Sequence, residues 1–597
     1  MATWLFPEAT ADAGEGKGGR GRRGGRNLLG ADWRKPLPLL CLLAVLAGAF
    51  WATFRLGRIG FMSLDMPITW DAAWRMMNGQ WPCRDFNTPG DVLPALIQIV
   101  FFKVCGVNWW GYLVHAGLCN AAFALGVMLF LSRMGAPVLL SLFVGAMEGW
   151  HFNTPIGIPY YDQYSYFFAF FALAAFTLGV LDRNLMLRGI FLLLVPPLCV
   201  ATILSKVSPG LYALALLPGI FVVSCRRGER WDAIGVLVAS SILTVLGLGL
   251  LCWYGGVAPD RVWESFFGLP SGIGHERWAA VRWEDWRLQA EWRMGRLAGL
   301  WIALPAGLAA AVALLVRRER GMAGSRYVKP ENDLRRDRIR ALIWITLAAP
   351  WVDLVTFLSA DQQALNYLAY GVLALGTGLT AFGLAAGRGV AARTVYVAAF
   401  CLMVAVTVRV ELGTAWKMVL RNVNDFGLPE STKLSEFPPA GRELAPMIWI
   451  NSNGQYSAEE FWRVVDFLKE KNEPFLIAGQ NTLPYAFCGR VNPFPIAWLH
   501  RGLTFPKPED PRRPAFDAWA IERLKAAGIR WMAVDSTWGN WLGDLPFLQA
   551  WADRATGPEV RIASWRLIPV DVALLGLPAE ATPTPAPPSD AVPPAAP

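Results

Sequence analysis

Apolar residues in this chain are bunched rather than spread. Between Leu37 and Leu412, runs of about 16 to 23 apolar residues recur, each close to the roughly 20 that cross a bilayer as a helix. The pattern predicts eleven spans, near 37–56, 109–131, 135–150, 164–181, 189–205, 210–225, 233–255, 298–316, 340–358, 367–387 and 394–412. One apolar stretch, Val92 to Val107, is short and carries Lys103. Counting it as a crossing would invert every later loop, so it is expected as a juxtamembrane or partly inserted helix.

After about residue 413 the pattern changes. Strands are expected at Pro446–Asn451, Pro474–Gly479, Arg530–Asp535 and Arg561–Val570, with an amphipathic helix over Ala458–Lys471 and another near Phe516–Ala527. Strands alternating with helices predict a small α/β domain over 413–577. The fold class expected is therefore an α-helical polytopic membrane protein, a 37–412 transmembrane domain with a first outer loop at 57–108, followed by an extracytoplasmic α/β domain. Residues 578–597 are Pro/Ala-rich and lack the material for a core. Residues 1–36 read as a disordered basic terminus. Their Gly16-Lys-Gly18-Gly-Arg-Gly21 string matches GxGxxG only literally, because no strand precedes it and no helix follows.

Composition sharpens this. Of 597 residues, 54% are hydrophobic and 17% charged, with a mean hydropathy of +0.35, against about 25% charge in ordinary soluble domains. The net charge of +9 would suggest nucleic acid were it not distributed by topology. Arg133, Arg183 with Arg188, Arg226/Arg227/Arg230, Arg317–Arg340, and Arg388 with Arg393 all fall in cytoplasmic loops of the eleven-span arrangement. The N-terminus is then cytoplasmic and the C-terminal domain periplasmic, in an inner-membrane protein with no nucleic-acid partner. The nine cysteines lie mostly inside apolar runs. Cys83 and Cys488 stand apart from them, and whether they pair is left open.

Candidate chemistry concentrates outside the spans. The first loop carries Asp65, Asp71, Asp85 and Asp91. Asp71 and Asp91 read as helix-capping residues, whereas Asp65 and Asp85 flank a short helix able to fold them together, as a base and a binding group or as ligands of a divalent cation, Mg or Mn. Asp65, Gly79, Pro82-Cys83-Arg84-Asp85-Phe86 and Pro89-Gly90-Asp91 resemble the corresponding loop of polytopic GT-C glycosyltransferases, the superfamily of protein mannosyltransferases, the lipid A aminoarabinose transferase and related lipopolysaccharide glycosyltransferases. Cys83 stands where an aromatic is usual there, and Met66 where some members have a second acid. His151-Phe-Asn153 through Tyr160-Tyr161-Asp162 and Leu204-Ser205-Lys206-Val-Ser208-Pro209-Gly210 extend the resemblance.

The resemblance implies transfer of a sugar from a polyprenyl-phosphate-linked donor to a glycan, lipid or protein acceptor, by an inverting displacement with Asp65 as base. Arg84, Lys206, His275 and Arg277 would neutralise phosphate. Asp85 and Asp162 would shape a polar or metal site, and Tyr160, Tyr161, Trp70, Trp81 and Trp278 would supply faces for sugar or isoprenoid. The Asp361–Tyr367 turn is a further polar candidate. A rival reading is a transporter or flippase of a lipid-linked or anionic substrate, which calls for ionisable groups within spans; Asp353 is one such group.

Overall fold

The computed structural model describes residues 35–61, 65–154, 156–322, 330–359, 368–386, 390–420, 437–451, 456–537 and 541–577. The basic N-terminal segment, the 578–597 tail and the Asp361–Tyr367 turn lie outside the described residues.

Among the described residues, nine helices are long and apolar enough to cross a membrane: Pro36–Leu56, Trp109–Met134, Tyr161–Leu181, Leu185–Ser205, Val207–Ser224, Arg230–Gly255, Asp333–Ser359, Ala369–Ala386 and Val390–Leu412. A tenth forms if Trp283–Arg296 and Leu300–Val316, bent by 95°, count together. The eleven expected spans are corrected at two places. Val138–His151 has only 14 residues, about 21 Å of helix, because Pro137 precedes it and Phe152 closes it. The apolar run at 300 begins only after the sharp bend that follows Arg296. The expected 210–225 span is present as Val207–Ser224, with a local break at Ala215 between Val207–Leu214 and Leu216–Ser224.

Val92–Cys105 is a 14-residue helix packed against Pro67–Met77 and Trp109–Met134. The bundle core gathers around Phe123, Phe170, Leu342, Leu373 and Met403. Asp353, buried in the Pro330–Ser359 helix, accepts from the backbone N–H groups of Tyr370 at 3.3 Å and Gly371 at 2.6 Å. It thereby caps the start of the Ala369–Ala386 helix, where free N–H groups need acceptors.

Two sheets lie at the other end of the molecule. β1 (Ile59–Phe61) pairs in parallel with β2 (Ile448–Asn451), tying the first connection to the C-terminal segment. This differs from the expected role of 446–451 as a strand of the C-terminal sheet. That sheet is β3 (Phe475–Ala478), β4 (Trp531–Asp535), β5 (Val560–Ile562) and β6 (Trp565–Pro569), in the order β3-β4-β6-β5. β3 and β4 are parallel, and the other pairings are antiparallel. The single strand expected over 561–570 is a hairpin, turned at Ala563 with φ of 50°. The helices Ala458–Lys471, with Ser457 and Glu460 forming a capping box, and Arg513–Ala526 fall where the apolar periodicity put them.

One hydrophobic core is shared between the 57–108 connection and the C-terminal region. It contains Phe61, Trp70 and Phe86 from the former, Trp109 from the helix that follows, and Trp449, Phe461, Tyr485 and Trp565 from the latter. The connection between the helix Pro36–Leu56 and this core is tight at Gly157, whose φ is +72° and where a Cβ would collide with the Gly57 backbone. Gly157→Ala should therefore destabilise the protein by about 1–3 kcal/mol. Gly48→Ala, with open space around it, should be neutral or mildly stabilising; equilibrium unfolding of both variants in detergent checks the contrast.

Candidate functional site

Lys206 interrupts two helices. Its backbone is extended, φ −169° and ψ 138°, between Leu185–Ser205 and Val207–Leu214. Three contacts hold it there: its N–H donates to the Thr202 carbonyl at 3.0 Å, its carbonyl accepts from Ser165 Oγ at 2.6 Å, and Gly90 pairs with it in an isolated antiparallel bridge. The Asp91 N–H adds a bond to the Ser205 carbonyl at 2.7 Å. The break turns the Lys206 side chain away from the helix axis, so that Nζ lies 2.6 Å from Asp162 Oδ1 and 4.4 Å from the centroid of the Tyr161 ring.

This lysine lines a cavity of about 470 Å³. Arg277 is the second cation on its wall, with Nη1 donating to the Ser359 carbonyl at 3.4 Å. The remaining wall is mainly apolar and aromatic, with Tyr161, Tyr212, Trp263, Phe266, Trp278 and Trp498. Two cations set among aromatic faces suit a ligand with an anionic group and an extensive apolar or ring surface.

Asp65 does not line this cavity but adjoins its wall. The Tyr160 hydroxyl donates to Asp65 Oδ2 at 3.4 Å and lies 3.1 Å from the Tyr161 hydroxyl. Asp65, Tyr160 and Tyr161 thus form a continuous polar edge leading to the ring beneath Lys206.

The other expected residues are distributed differently. Arg84 donates to Asp85 Oδ2 from Nη2 at 2.6 Å and from Nε at 3.0 Å, and from Nη1 to the Gly255 carbonyl at 2.9 Å. Asp85 Oδ1 accepts from Arg523 at 3.2 Å. Burial works to raise the Asp85 pKa, but the bonds from Arg84 and the Trp81 N–H, with the charges of Arg84 and Arg523, hold it below the usual carboxylate value. Arginines thus already engage both oxygens of Asp85, one of the two carboxylates expected to hold a divalent cation, and among the described residues no three His, Cys, Asp or Glu side chains converge as a metal site. Arg84 and Asp85 instead fasten the loop to the end of the Arg230–Gly255 helix and to the C-terminal domain. His275 is exposed on the Leu269–Ala280 helix and is not on the cavity wall.

Asp71 and Asp91 also depart from simple capping. Asp71 sits inside the Pro67–Met77 helix, where its Oδ2 accepts from Arg75 Nε at 2.9 Å and from Asn492 Nδ2 at 3.1 Å. Asp91 precedes Val92 as expected, but its φ is 70° and its side chain caps nothing; Oδ1 accepts from Thr69 at 2.7 Å. Burial raises the Asp91 carboxyl well above its usual range, with the Thr69 bond opposing. Among the expected aromatics, Trp278 lines the cavity, Trp70 is buried core against Phe102 and Tyr112, and Trp81 packs on Tyr254 and Gly255. Cys83 and Cys488 are both free thiols; burial pushes Cys83 up to about 11, so it is a packing residue beside Val257 and Phe266.

Fold and site together define a helical polytopic membrane protein with a cationic, aromatic-walled cavity beside its C-terminal α/β domain. No protein-family profile matches the chain, and no curated protein matches it. Among solved structures, the crystal structure of ArnT from Cupriavidus metallidurans bound to undecaprenyl phosphate aligns with 90% of this chain and 99% of that one, at 13% identity and a TM-score of 0.47. At that identity and score the likeness assigns no activity to this chain.

Proposed function

We propose that this protein is a membrane glycosyltransferase that takes a sugar from a polyprenyl-phosphate-linked donor and passes it to a hydroxyl of a glycan, lipid or protein acceptor on the outer side of the membrane. The observation that carries the reading is Lys206, held extended between two membrane-spanning helices on the wall of an aromatic cavity that also holds Arg277. A phosphate between these cations gains charge-assisted hydrogen bonds, and they stabilise the additional negative charge that develops on the phosphate oxygen as the glycosidic bond breaks.

In the displacement, the acceptor oxygen forms a bond to the anomeric carbon while the carbon–oxygen bond to phosphate breaks. The acceptor proton passes to the Asp65 carboxylate, and polyprenyl phosphate departs with the bonding electron pair. Asp162 acts as the positioning group for Lys206, and Tyr160 orients Asp65. No metal is assigned a step.

Lipid and glycan mass spectrometry on a deletion strain tests this. The expected result is one missing sugar together with accumulated polyprenyl-phosphate sugar. Glu148, fully buried in the Val138–His151 helix with neither carboxylate oxygen hydrogen-bonded, keeps the transport reading in view. An unchanged glycome with altered sidedness of a lipid substrate would favour that rival.

A further inference from the structure

Trp498 belongs to the C-terminal domain yet stands on the wall of the Lys206 cavity. Its ring is nearly parallel to that of Tyr161, at 13°, with centroids 5.9 Å apart, and Tyr161 is the ring over which the Lys206 ammonium sits at 4.4 Å. A group attached to a phosphate held by Lys206 would therefore begin one aromatic ring away from Trp498. A sugar joined to that phosphate is such a group, and its C–H face suits an aromatic surface, while its hydroxyls require polar partners elsewhere.

The segment carrying Trp498 is also unusually well fixed for a connection between a short helix and the next. Arg75, itself fully buried, donates to the carbonyls of Phe494 and Ile496, both at 2.8 Å. The Asn87 N–H donates to the Pro495 carbonyl at 2.9 Å, and the Asn87 carbonyl accepts from Ala497 at 3.0 Å. Thr504 Oγ1 then donates to the carbonyl of Trp498 at 2.6 Å. A loop held this firmly to the 57–108 connection is preorganised, as a recognition surface needs to be.

We infer that Trp498 is the platform for the donor's sugar ring, so that the C-terminal domain, through the Pro495–Trp498 segment, selects which sugar is transferred. This rests on the reading of the cavity as a polyprenyl-phosphate-sugar site and divides its labour: Lys206 and Arg277 hold the phosphate common to all donors, and Trp498 reads what is attached.

The test is lipid binding by the full-length protein in nanodiscs. The probes are undecaprenyl phosphate alone and undecaprenyl phosphate carrying a hexose, a pentose or an aminopentose. Wild type should bind at least one glycosylated lipid about tenfold more tightly than the bare lipid. Trp498→Leu, which keeps apolar bulk, should reduce that preference to within about twofold by weakening the glycosylated lipid far more than the bare lipid, and Trp498→Phe should retain most of it. A thermal unfolding midpoint close to wild type shows that the variant is folded. A wild type that binds the bare lipid without any sugar preference overturns the role of Trp498 alone, as does a Leu variant that keeps the preference or loses bare-lipid and glycosylated-lipid binding in parallel. A wild type that binds none of the four lipids overturns the donor reading itself.

Discussion

Asp65→Asn should lower sugar transfer by about 10²–10⁴-fold, the usual contribution of a positioned general base, with unfolding behaviour close to wild type. The substitution keeps the side chain's size and removes its basicity. The choice of Asp65 follows from what its neighbours do. Asp85 is held low by two arginines and has no free oxygen for an acceptor proton. Asp91 is fully buried, which disfavours the charged form a base needs, and its Oδ1 is turned to Thr69. Asp162 is committed to Lys206 at 2.6 Å. Asp65 accepts from the Tyr160 hydroxyl, beside the Tyr161 ring of the cavity wall, and stays slightly open to solvent, at 8% exposure. Initial rates measured on purified protein with the donor found by the deletion-strain analysis give the answer. Near wild-type transfer by Asp65→Asn would remove it from the mechanism, and a parallel loss of thermal stability would show that the effect was structural.

The membrane-spanning organisation was legible because bilayer thickness writes itself into sequence as runs of fixed length, and most helices follow those runs. The departures come from local breaks that hydropathy averages over, at Leu297 to Gly299 and at Ala215. Lys206 stood out in the sequence through the resemblance of Leu204–Gly210 to a GT-C lysine-before-glycine segment, and the fold sets it on the cavity wall. His275 and Arg277 look equivalent in a charged cluster, yet two positions on a helix differ by about 200°, and only Arg277 reaches the cavity. Trp498 carried no such signal. Its role depends on a stacking partner, Tyr161, from a distant part of the chain, and among 29 tryptophans nothing local marks it. Asp71 and Arg75 were spaced as a helical i,i+4 pair, but the sequence did not show that both would be covered by the C-terminal domain, which turns an ordinary surface pairing into a buried one.

That burial makes Arg75→Met the substitution with the largest expected effect on stability. Arg75 is 0% and Asp71 1% exposed, and removing one partner of a buried pair costs about 3–5 kcal/mol because the other charge is left without compensation. The Phe494 and Ile496 carbonyls lose their donors in the same step, each a further penalty when buried. Replacing both residues, as Asp71→Leu with Arg75→Met, removes the stranded charge and should recover part of the loss, so a double-mutant cycle on reversible detergent unfolding separates the ion pair from the carbonyl bonds. A single variant that costs less than about 1 kcal/mol would mean that the pair is hydrated and does not clamp the domains. If the clamp acts as described, the double variant, with its fold largely recovered, should still bind undecaprenyl phosphate through Lys206 and Arg277. It should nevertheless lose sugar preference, because the backbone that leads to Trp498 is no longer held by Arg75.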